Sequence, residues 1–261
     1  MDAGIARAEW EAWKVERLVR LRAERGWLAV TGLHWLEPGE NHVPGLPGIF
    51  TLRDGRVELA AGAGDGYVLR GEPVERRVLA SDAERDPDLV SAGPGRFLQV
   101  LARGGRRALR TWDAAAPGRR DFPGIETFPF EPAWIVEGRW EPFDPPRRVV
   151  VQDVVGTDAE KEIPGRVVFA VAGRELALAP TADGDRLAFV FRDATAGKET
   201  YGAGRFLSAD APRDGRVVLD FNRAFNPPCA FTPFATCPLP RPENVLPVPV
   251  TAGERFGGRR H

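Results

Sequence analysis

The sequence predicts an all-β protein made of two β-sandwich or barrel-like modules, with one N-terminal helix packed on the body. Two observations lead to this prediction. Apolar residues recur at helical spacing only near the N-terminus, whereas from Trp27 onward short apolar runs alternate with Gly, Pro and Asp-Gly. At 261 residues, of which 43% are hydrophobic, the chain can bury a large core without a disulfide or a structural metal.

The N-terminal helix is predicted within residues 1–26, because Gly26 follows the last helical repeat and ends it. The apolar stripe of this helix consists of Ile5, Ala8, Ala12, Val15 and Val19. Its members recur at steps of three and four, which places them on one face. Trp10 and Trp13 flank the stripe, so we expect this wide apolar face to pack against the body.

The first module, a β-sandwich, is predicted over residues 27–116 from short strands at close spacing. Asp54-Gly55 lies between two of them and is a strong hairpin signal, because both residues tolerate positive φ. The predicted strands are Trp27–Val30, Phe50–Arg53, Arg56–Leu59, Tyr67–Leu69, Val74–Leu79, Phe97–Leu101 and Ala108–Trp112.

A second β domain is predicted over residues 117–250, after a proline-rich break. Ala172-Gly173 and Asp214-Gly215 are further hairpin turns. Residues 226–249 hold eight prolines, which exclude regular helix or central strand, and we expect an extended closing segment pressed onto the body. A frayed tail is expected over 251–261. The strands are Trp134–Trp140, Arg147–Val155, Val167–Val171, Glu175–Ala179, Leu187–Phe191, Arg205–Leu207 and Val217–Asn222.

Charge and hydropathy exclude several classes of protein. The 36 basic and 37 acidic residues give a net charge of −1, and paired arginines are scattered among acids, so no nucleic-acid partner is expected. No apolar run reaches the about 18 residues of a transmembrane helix, and the first residues lack a secretory signal pattern. We therefore expect a cytoplasmic protein without membrane contact. The sequence predicts no cofactor and no metal site, and it leaves the oligomeric state open.

Two stretches resemble a known family. The first is Gly32-Leu33-His34-Trp35-Leu36-Glu37-Pro38-Gly39-Glu40-Asn41, and the second runs from Arg192-Asp193-Ala194-Thr195 through Leu219-Asp220-Phe221-Asn222-Arg223 to Cys237-Pro238-Leu239-Pro240. Together they resemble the bacterial domain of unknown function family 1684, which implies a two-part, β-rich protein and no established activity. Residues 27–112 also look like a forkhead-associated sandwich, without the Gly-Arg turn and Ser-x-x-His loop of its phosphothreonine-reading version.

The glycine-rich loop at residues 193–205 is the first candidate site. It is neither a phosphate loop nor a dinucleotide fingerprint, because the required glycines and hydroxyl residue are missing. It brings Lys198, Tyr201 and Arg205 close in sequence, and arginine offers a fork of donors for carboxylates. The loop is therefore either an anion-binding pocket or a structural turn in which Arg205 pairs with a carboxylate such as Asp220.

The strand end at residues 220–226 is the second candidate site. Alternation places Asp220 and Asn222 on one face of a strand, where Asp220 is a candidate acid or base, and Arg223 on the other. Asn226 follows closely. The alternative is that Asp220 and Asn222 only satisfy loop backbone groups. Cys229 and its neighbour at 237 are buried thiols, a disulfide, or a nucleophile or ligand, and their spacing matches no zinc ribbon.

The leading hypothesis is a non-catalytic β domain that binds a small polar or anionic ligand. One alternative is a hydrolase-like enzyme that uses Asp220 with Arg205, or Cys229. The other is a structural or partner-binding protein that uses the Trp10 and Trp13 face. The candidate ligand-binding residues are Lys198, Tyr201, Arg205, Asp220, Asn222, Arg223, Asn226 and Cys229.

Overall fold

The chain divides into two structural units in a computed structural model that describes residues 2–256. The N-terminal unit comprises residues 19–122 and 231–235. The C-terminal unit comprises the residues up to 18, residues 123–230, and those from 236 onward. Each unit contains two antiparallel sheets, and the predicted all-β class with an N-terminal helix is confirmed. The helices are α1 (Ala3–Arg22) and α2 (Pro117–Arg120).

Helix α1 turns the opposite face inward from the one that the apolar stripe predicts. Ile5 is 59% exposed and Val15 is 65% exposed, whereas Trp10 is buried. The Trp10 ring lies 5.5 Å from the ring of Phe130, and its indole N–H donates a hydrogen bond of 2.9 Å to the carbonyl of Asn222. A tryptophan buries far more apolar area than valine or alanine, so the tryptophans decide which face is buried. The prediction that the stripe packs on the body is wrong.

The N-terminal unit is built from a six-stranded sheet, in the order β1-β10-β9-β8-β5-β6, and a four-stranded sheet, in the order β2-β3-β4-β7. One core contains side chains of both sheets, such as Phe50 and Leu59 of one and Leu98 and Leu109 of the other. The strands are β1 (Val30–Trp35), β2 (Gly39–Asn41), β3 (Ile49–Arg53), β4 (Arg56–Ala60), β5 (Val68–Leu69), β6 (Glu72–Pro73), β7 (Arg76–Leu79), β8 (Leu89–Ser91), β9 (Arg96–Arg103) and β10 (Arg106–Asp113).

The C-terminal unit holds a four-stranded sheet, in the order β13-β12-β11-β17, and a three-stranded sheet, in the order β14-β15-β16. Phe169, Phe191 and Leu219 belong to the core that lies between them, with Phe221 at its centre. The strands are β11 (Ile135–Gln152), β12 (Asp158–Val171), β13 (Arg174–Leu178), β14 (Thr181–Asp183), β15 (Arg186–Phe191), β16 (Arg205–Asp210) and β17 (Arg216–Asp220).

The three predicted hairpin turns are confirmed by their backbone angles. Asp54-Gly55, Ala172-Gly173 and Asp214-Gly215 each place two successive residues at positive φ, between 50° and 75°. Two positive φ values define the type I′ turn, whose twist matches that of paired strands. These turns fix the register of β3 with β4 and of β12 with β13.

The last strand ends earlier than predicted. β17 stops at Asp220, and Phe221–Arg223 form one turn of 3₁₀-helix that the Asp220 side chain caps. Because a 3₁₀ turn has three residues, it returns residue 223 to the side of residue 220. The predicted alternation across residues 217–222, with Arg223 on the far face, is therefore wrong at this end.

The segment after β17 is largely extended and lies against the C-terminal unit. Asn244, Leu246, Val248 and Val250 are buried at every second position. The chain remains buried beyond them, since Glu254 is 1% exposed. The predicted fraying is thus wrong for residues 252–254, and the part of the predicted tail at 257–261 lies outside the described residues. Packing of Gly253 against the backbone of residues 221 and 224 holds this end in place.

Candidate functional site

The Arg205 side chain lies inside the C-terminal unit and is 1% exposed. Its Nη2 atom donates a hydrogen bond of 2.8 Å to Oδ2 of the buried Asp193. Burial lowers the pKa of the Arg205 guanidinium, and the charge of Asp193 opposes that shift. In the sheet Arg205 pairs with Phe191, so both ends of the loop meet there and Asp193 is within reach. Arg205 thus pairs with a carboxylate, as the structural-turn alternative predicts, but the partner is Asp193 and not Asp220.

The same ion pair binds the terminal segment of the chain. Arg205 Nη2 donates to the carbonyl of Val250 at 2.9 Å, and Nη1 donates to the carbonyl of Ala252. Asp193 Oδ1 accepts the backbone N–H of Val250 at 3.2 Å. Charged hydrogen bonds in a buried site are stronger than neutral ones. Arg205 therefore holds the 193–205 loop against residues 250–252.

Hydrogen bonds within the loop direct its middle outward. The hydroxyls of Thr195 and Thr200 lie 2.8 Å apart in the interior, and Thr195 Oγ1 also donates to Asp193 at 2.6 Å. The backbone N–H groups of Lys198 and Glu199 both donate to the Thr195 carbonyl at 3.0 Å. Such a tight turn leaves the side chains of Lys198 and Glu199 exposed.

A cleft of about 490 Å³ lies between this loop and the end of the described chain, and we call it the Tyr201 cleft. The Tyr201 and Phe256 rings meet edge to face, 4.9 Å apart. The backbone N–H of Phe256 donates to the Glu199 carbonyl at 2.9 Å, which joins the two walls. The lining residues are Glu126, Gly197, Lys198, Glu199, Thr200, Tyr201, Gly202, Arg255 and Phe256.

Four charged side chains line the Tyr201 cleft, two of each sign. Lys198 and Arg255 are cationic, and Glu126 and Glu199 are anionic; all four are exposed. Within residues 2–256 none of them forms an ion pair or a side-chain hydrogen bond, although the Arg255 guanidinium lies 5.3 Å from the Phe128 ring. The cleft therefore presents charges that no other described residue neutralises, above a partly apolar aromatic wall.

The Asp220 cluster lies elsewhere in the C-terminal unit and is bound by its own neighbours. Asp220 Oδ1 accepts from Asn222 Nδ2 at 3.0 Å, and Oδ2 lies 3.0 Å from Arg223 Nε. Asn222 Nδ2 also donates to the Glu131 carbonyl at 3.0 Å, and Arg223 pairs with Glu9. Burial raises the pKa of Asp220, while the Asn222 hydrogen bond opposes that shift.

The 3₁₀ turn therefore brings Asp220, Asn222 and Arg223 together, but none of them lines the Tyr201 cleft. Asn226 is also buried. It donates from Nδ2 to the carbonyl of Arg255 at 2.9 Å and from its backbone N–H to Glu254 at 2.7 Å. It thus supports the cleft wall from behind.

Cys229 and Cys237 are buried, and their sulfur atoms are not joined in a disulfide bond; the pair lies behind the Tyr201 cleft. The Tyr201 hydroxyl donates a hydrogen bond of 2.9 Å to the Cys229 carbonyl, and the Cys229 N–H donates to Cys237 Sγ at 3.2 Å. Burial, followed by the contact with Cys229, raises the pKa of Tyr201. The hydrogen bond with Cys237 lowers the pKa of the Cys229 thiol, and burial opposes it.

The loop pattern thus located Lys198 and Tyr201, while the other seven lining residues were not predicted as site residues. Glu199 belongs to the glycine-rich loop at residues 193–205, so the sequence pattern already indicated this part of the chain as a candidate site. Arg255 and Phe256 lie in the tail for which fraying was predicted, and Glu126 belongs to no recognised motif. Among residues 2–256 there is no cluster of three His, Cys, Asp or Glu side chains that could hold a metal ion, and no helix is long and apolar enough to cross a membrane.

Comparison with known proteins gives a family but no activity. A family model described as "Protein of unknown function (DUF1684)" matches residues 120–255. The chain is also similar to the solution NMR structure of an uncharacterized protein from Haloarcula marismortui, with 32% identity and a TM-score of 0.45. That match covers 53% of this chain and 80% of the other. No curated protein matches.

Proposed function

The chain belongs to the family of proteins of unknown function DUF1684, and we propose that it is a non-catalytic module that binds a small polar ligand with a negative charge in the Tyr201 cleft. The observation that carries this proposal is the set of unneutralised charges around the Tyr201 and Phe256 rings. Ligand sites in proteins combine an apolar wall with a few polar groups that fix orientation. The cleft has both.

The charges define the chemistry of the ligand. Lys198 and Arg255 provide the donors for a carboxylate or phosphate group, and the guanidinium can bind it through two hydrogen bonds. Glu126 and Glu199 are the acceptors for an ammonium or hydroxyl group of the same molecule. A flat apolar part would lie against the rings. The best match is a small zwitterionic or anionic metabolite with an apolar side.

The hydrolase alternative has less support. Its acid or base, Asp220, is engaged by Asn222 and Arg223, and Arg205 is engaged by Asp193, so the two do not act on one substrate. A hydrolase that uses Cys229 would need a general base beside the thiol, and within residues 2–256 no histidine is among the hydrogen-bond partners of Cys229. A nucleophile needs a base within reach.

The partner-binding alternative relied on the Trp10 and Trp13 face. Trp10 is buried under Lys14, whose Nζ lies 3.7 Å from the ring centroid, and Trp13 packs 6.5 Å from the Phe225 ring. This face is therefore used inside the C-terminal unit. The forkhead-associated likeness of the N-terminal unit, the bacterial source and the cytoplasmic location stay predictions.

The test is titration calorimetry of the full chain with three probes that share one ring. Phenylalanine carries both charges, benzoate only the negative one and benzylamine only the positive one. We expect phenylalanine to bind most tightly, benzoate more weakly and benzylamine least. Lys198→Gln and Arg255→Gln should each weaken phenylalanine binding about threefold to tenfold, because a charged hydrogen bond near the surface contributes roughly 1 kcal/mol.

Lys161→Gln is the matched control, since this exposed lysine of β12 lies outside the cleft. It should leave binding unchanged. The proposal is wrong if none of the three probes gives a saturable heat, or if the cleft variants bind as well as the Lys161 control.

A further inference from the structure

Two buried cysteines lie next to each other behind the wall of the Tyr201 cleft. Cys229 is 9% exposed and Cys237 is 4% exposed. Cys237 Sγ accepts the backbone N–H of Cys229 at 3.2 Å, which places the two cysteines next to each other. A disulfide bond joins two Sγ atoms about 2.05 Å apart, so neighbouring cysteines must bring their sulfur atoms together to form one.

The backbone of this pair is directly connected to the cleft. The carbonyl of Cys229 accepts the Tyr201 hydroxyl at 2.9 Å, and the Tyr201 ring contacts the Phe256 ring on the other wall. On the opposite side, the Cys237 carbonyl accepts the N–H of Val154 at 2.9 Å, which ties residue 237 to the β11–β12 turn. This hydrogen bond restrains residue 237, so we expect closure of the pair to move residue 229.

We propose that Cys229 and Cys237 form a reversible disulfide by exchange with a low-molecular-weight disulfide, and that closing this bond shifts Tyr201 in the cleft wall. The second part concerns the site of the proposed function. The first part, disulfide formation, does not depend on any ligand of the cleft.

The reaction balances as two successive exchanges. Cys229, the more exposed thiol, attacks as thiolate one sulfur of the small disulfide and expels the first small thiolate. Cys237 Sγ then attacks Cys229 Sγ in the mixed disulfide and expels the second. The two protons of the protein thiols end on the two expelled thiolates. Two protein thiols are oxidised, and one small disulfide is reduced to two thiols.

The experiment uses the full chain equilibrated in buffers of reduced and oxidised glutathione. One tryptic peptide beginning at Ala224 contains both cysteines, because Arg241 is followed by proline. We expect this peptide to lose two hydrogen atoms in mass and to carry no glutathione. Tyrosine-ring NMR reads the cleft on the same samples, since the chain has two tyrosines.

Tyr67 is the internal reference, because its hydroxyl donates to the Pro47 carbonyl in the N-terminal unit. We expect the Tyr201 ring signals to shift on oxidation and return on reduction, while those of Tyr67 stay in place. Cys237→Ser should abolish both the mass change and the shift. Recovery of both cysteines as thiols or as separate glutathione adducts overturns the inference, and so does a disulfide that leaves Tyr201 unmoved. Neither result bears on whether the three probes bind.

Discussion

Replacing Arg205 by methionine removes the cation at the centre of the C-terminal unit while keeping most of the side-chain volume. The substitution leaves the buried carboxylate of Asp193 without its 2.8 Å partner. It also leaves the carbonyls of Val250 and Ala252 without the donors that bind the terminal segment. Both walls of the Tyr201 cleft depend on these bonds, so stability and the cleft should be lost together.

The expected size follows from the burial of the pair. Breaking a buried ion pair by removing one partner costs about 3–5 kcal/mol, because an uncompensated charge stays inside. A chain of this size loses roughly 2–4 °C in melting temperature per kcal/mol, so Arg205→Met should melt about 6–20 °C lower. Adding Asp193→Asn to Arg205→Met removes the uncompensated negative charge of Asp193. We therefore expect the double variant to lose less stability than the sum of the losses of the two single variants.

Thermal unfolding followed by circular dichroism measures these differences. Arg216→Met is the matched control, because Arg216 is exposed and lies 3.8 Å from an exposed Glu137 carboxylate. Such a surface pair contributes about 1 kcal/mol or less. Melting of Arg205→Met within 2 °C of the Arg216 control, a margin of about 1 kcal/mol at this chain length, would refute a stabilising role of the buried ion pair. An Asp193 substitution that adds its full cost on top of Arg205→Met would refute it as well.

Three further predictions test the fold. Trp10→Ala should lower the free energy of unfolding by about 3–5 kcal/mol in urea, whereas Val15→Ser on the exposed face should change it by about 0.5 kcal/mol or less; similar losses would contradict the orientation of α1. Gly253→Ala should destabilise by at least about 1 kcal/mol, because its φ is +79° and a Cβ would lie 2.4 Å from the Ala224 carbonyl; unchanged melting would contradict this. Burial raises the pKa of Tyr67 to about 12, so its contribution to stability is complete below pH about 10 and is lost as the pH rises towards 12; tyrosinate absorbance that appears near pH 10 in the folded protein would refute this.

Local chemistry made part of this structure predictable. Asp54-Gly55 and Asp214-Gly215 specify their turns through backbone angles that few other residues adopt, so no tertiary information is needed. The glycines of the 193–205 loop marked a turn in the same way, and Lys198 and Tyr201 followed from it. The identity of the Arg205 partner did not follow, because several acids lie within reach along the chain and only the pairing of Arg205 with Phe191 selects Asp193.

Long-range packing decided the rest. The stripe that contains Ile5 has regular helical spacing, but the larger area of Trp10 determines the buried face. The terminal residues show little hydrophobic pattern of their own. They are held in place because Arg205 donates hydrogen bonds to their backbone carbonyl groups. Arg255 and Phe256 therefore became part of a cleft wall that no local pattern indicates.

Ligand binding in the Tyr201 cleft is tested most directly by NMR, in a titration of the full chain, with its tyrosine rings labelled, with phenylalanine. We expect saturable shifts of the Tyr201 ring signals, unchanged Tyr67 signals, and markedly weaker binding when Lys198 and Arg255 are both replaced by glutamine. Tyr201 signals that do not move at saturating probe, or that move equally in the doubly substituted chain, would contradict a ligand site in the Tyr201 cleft.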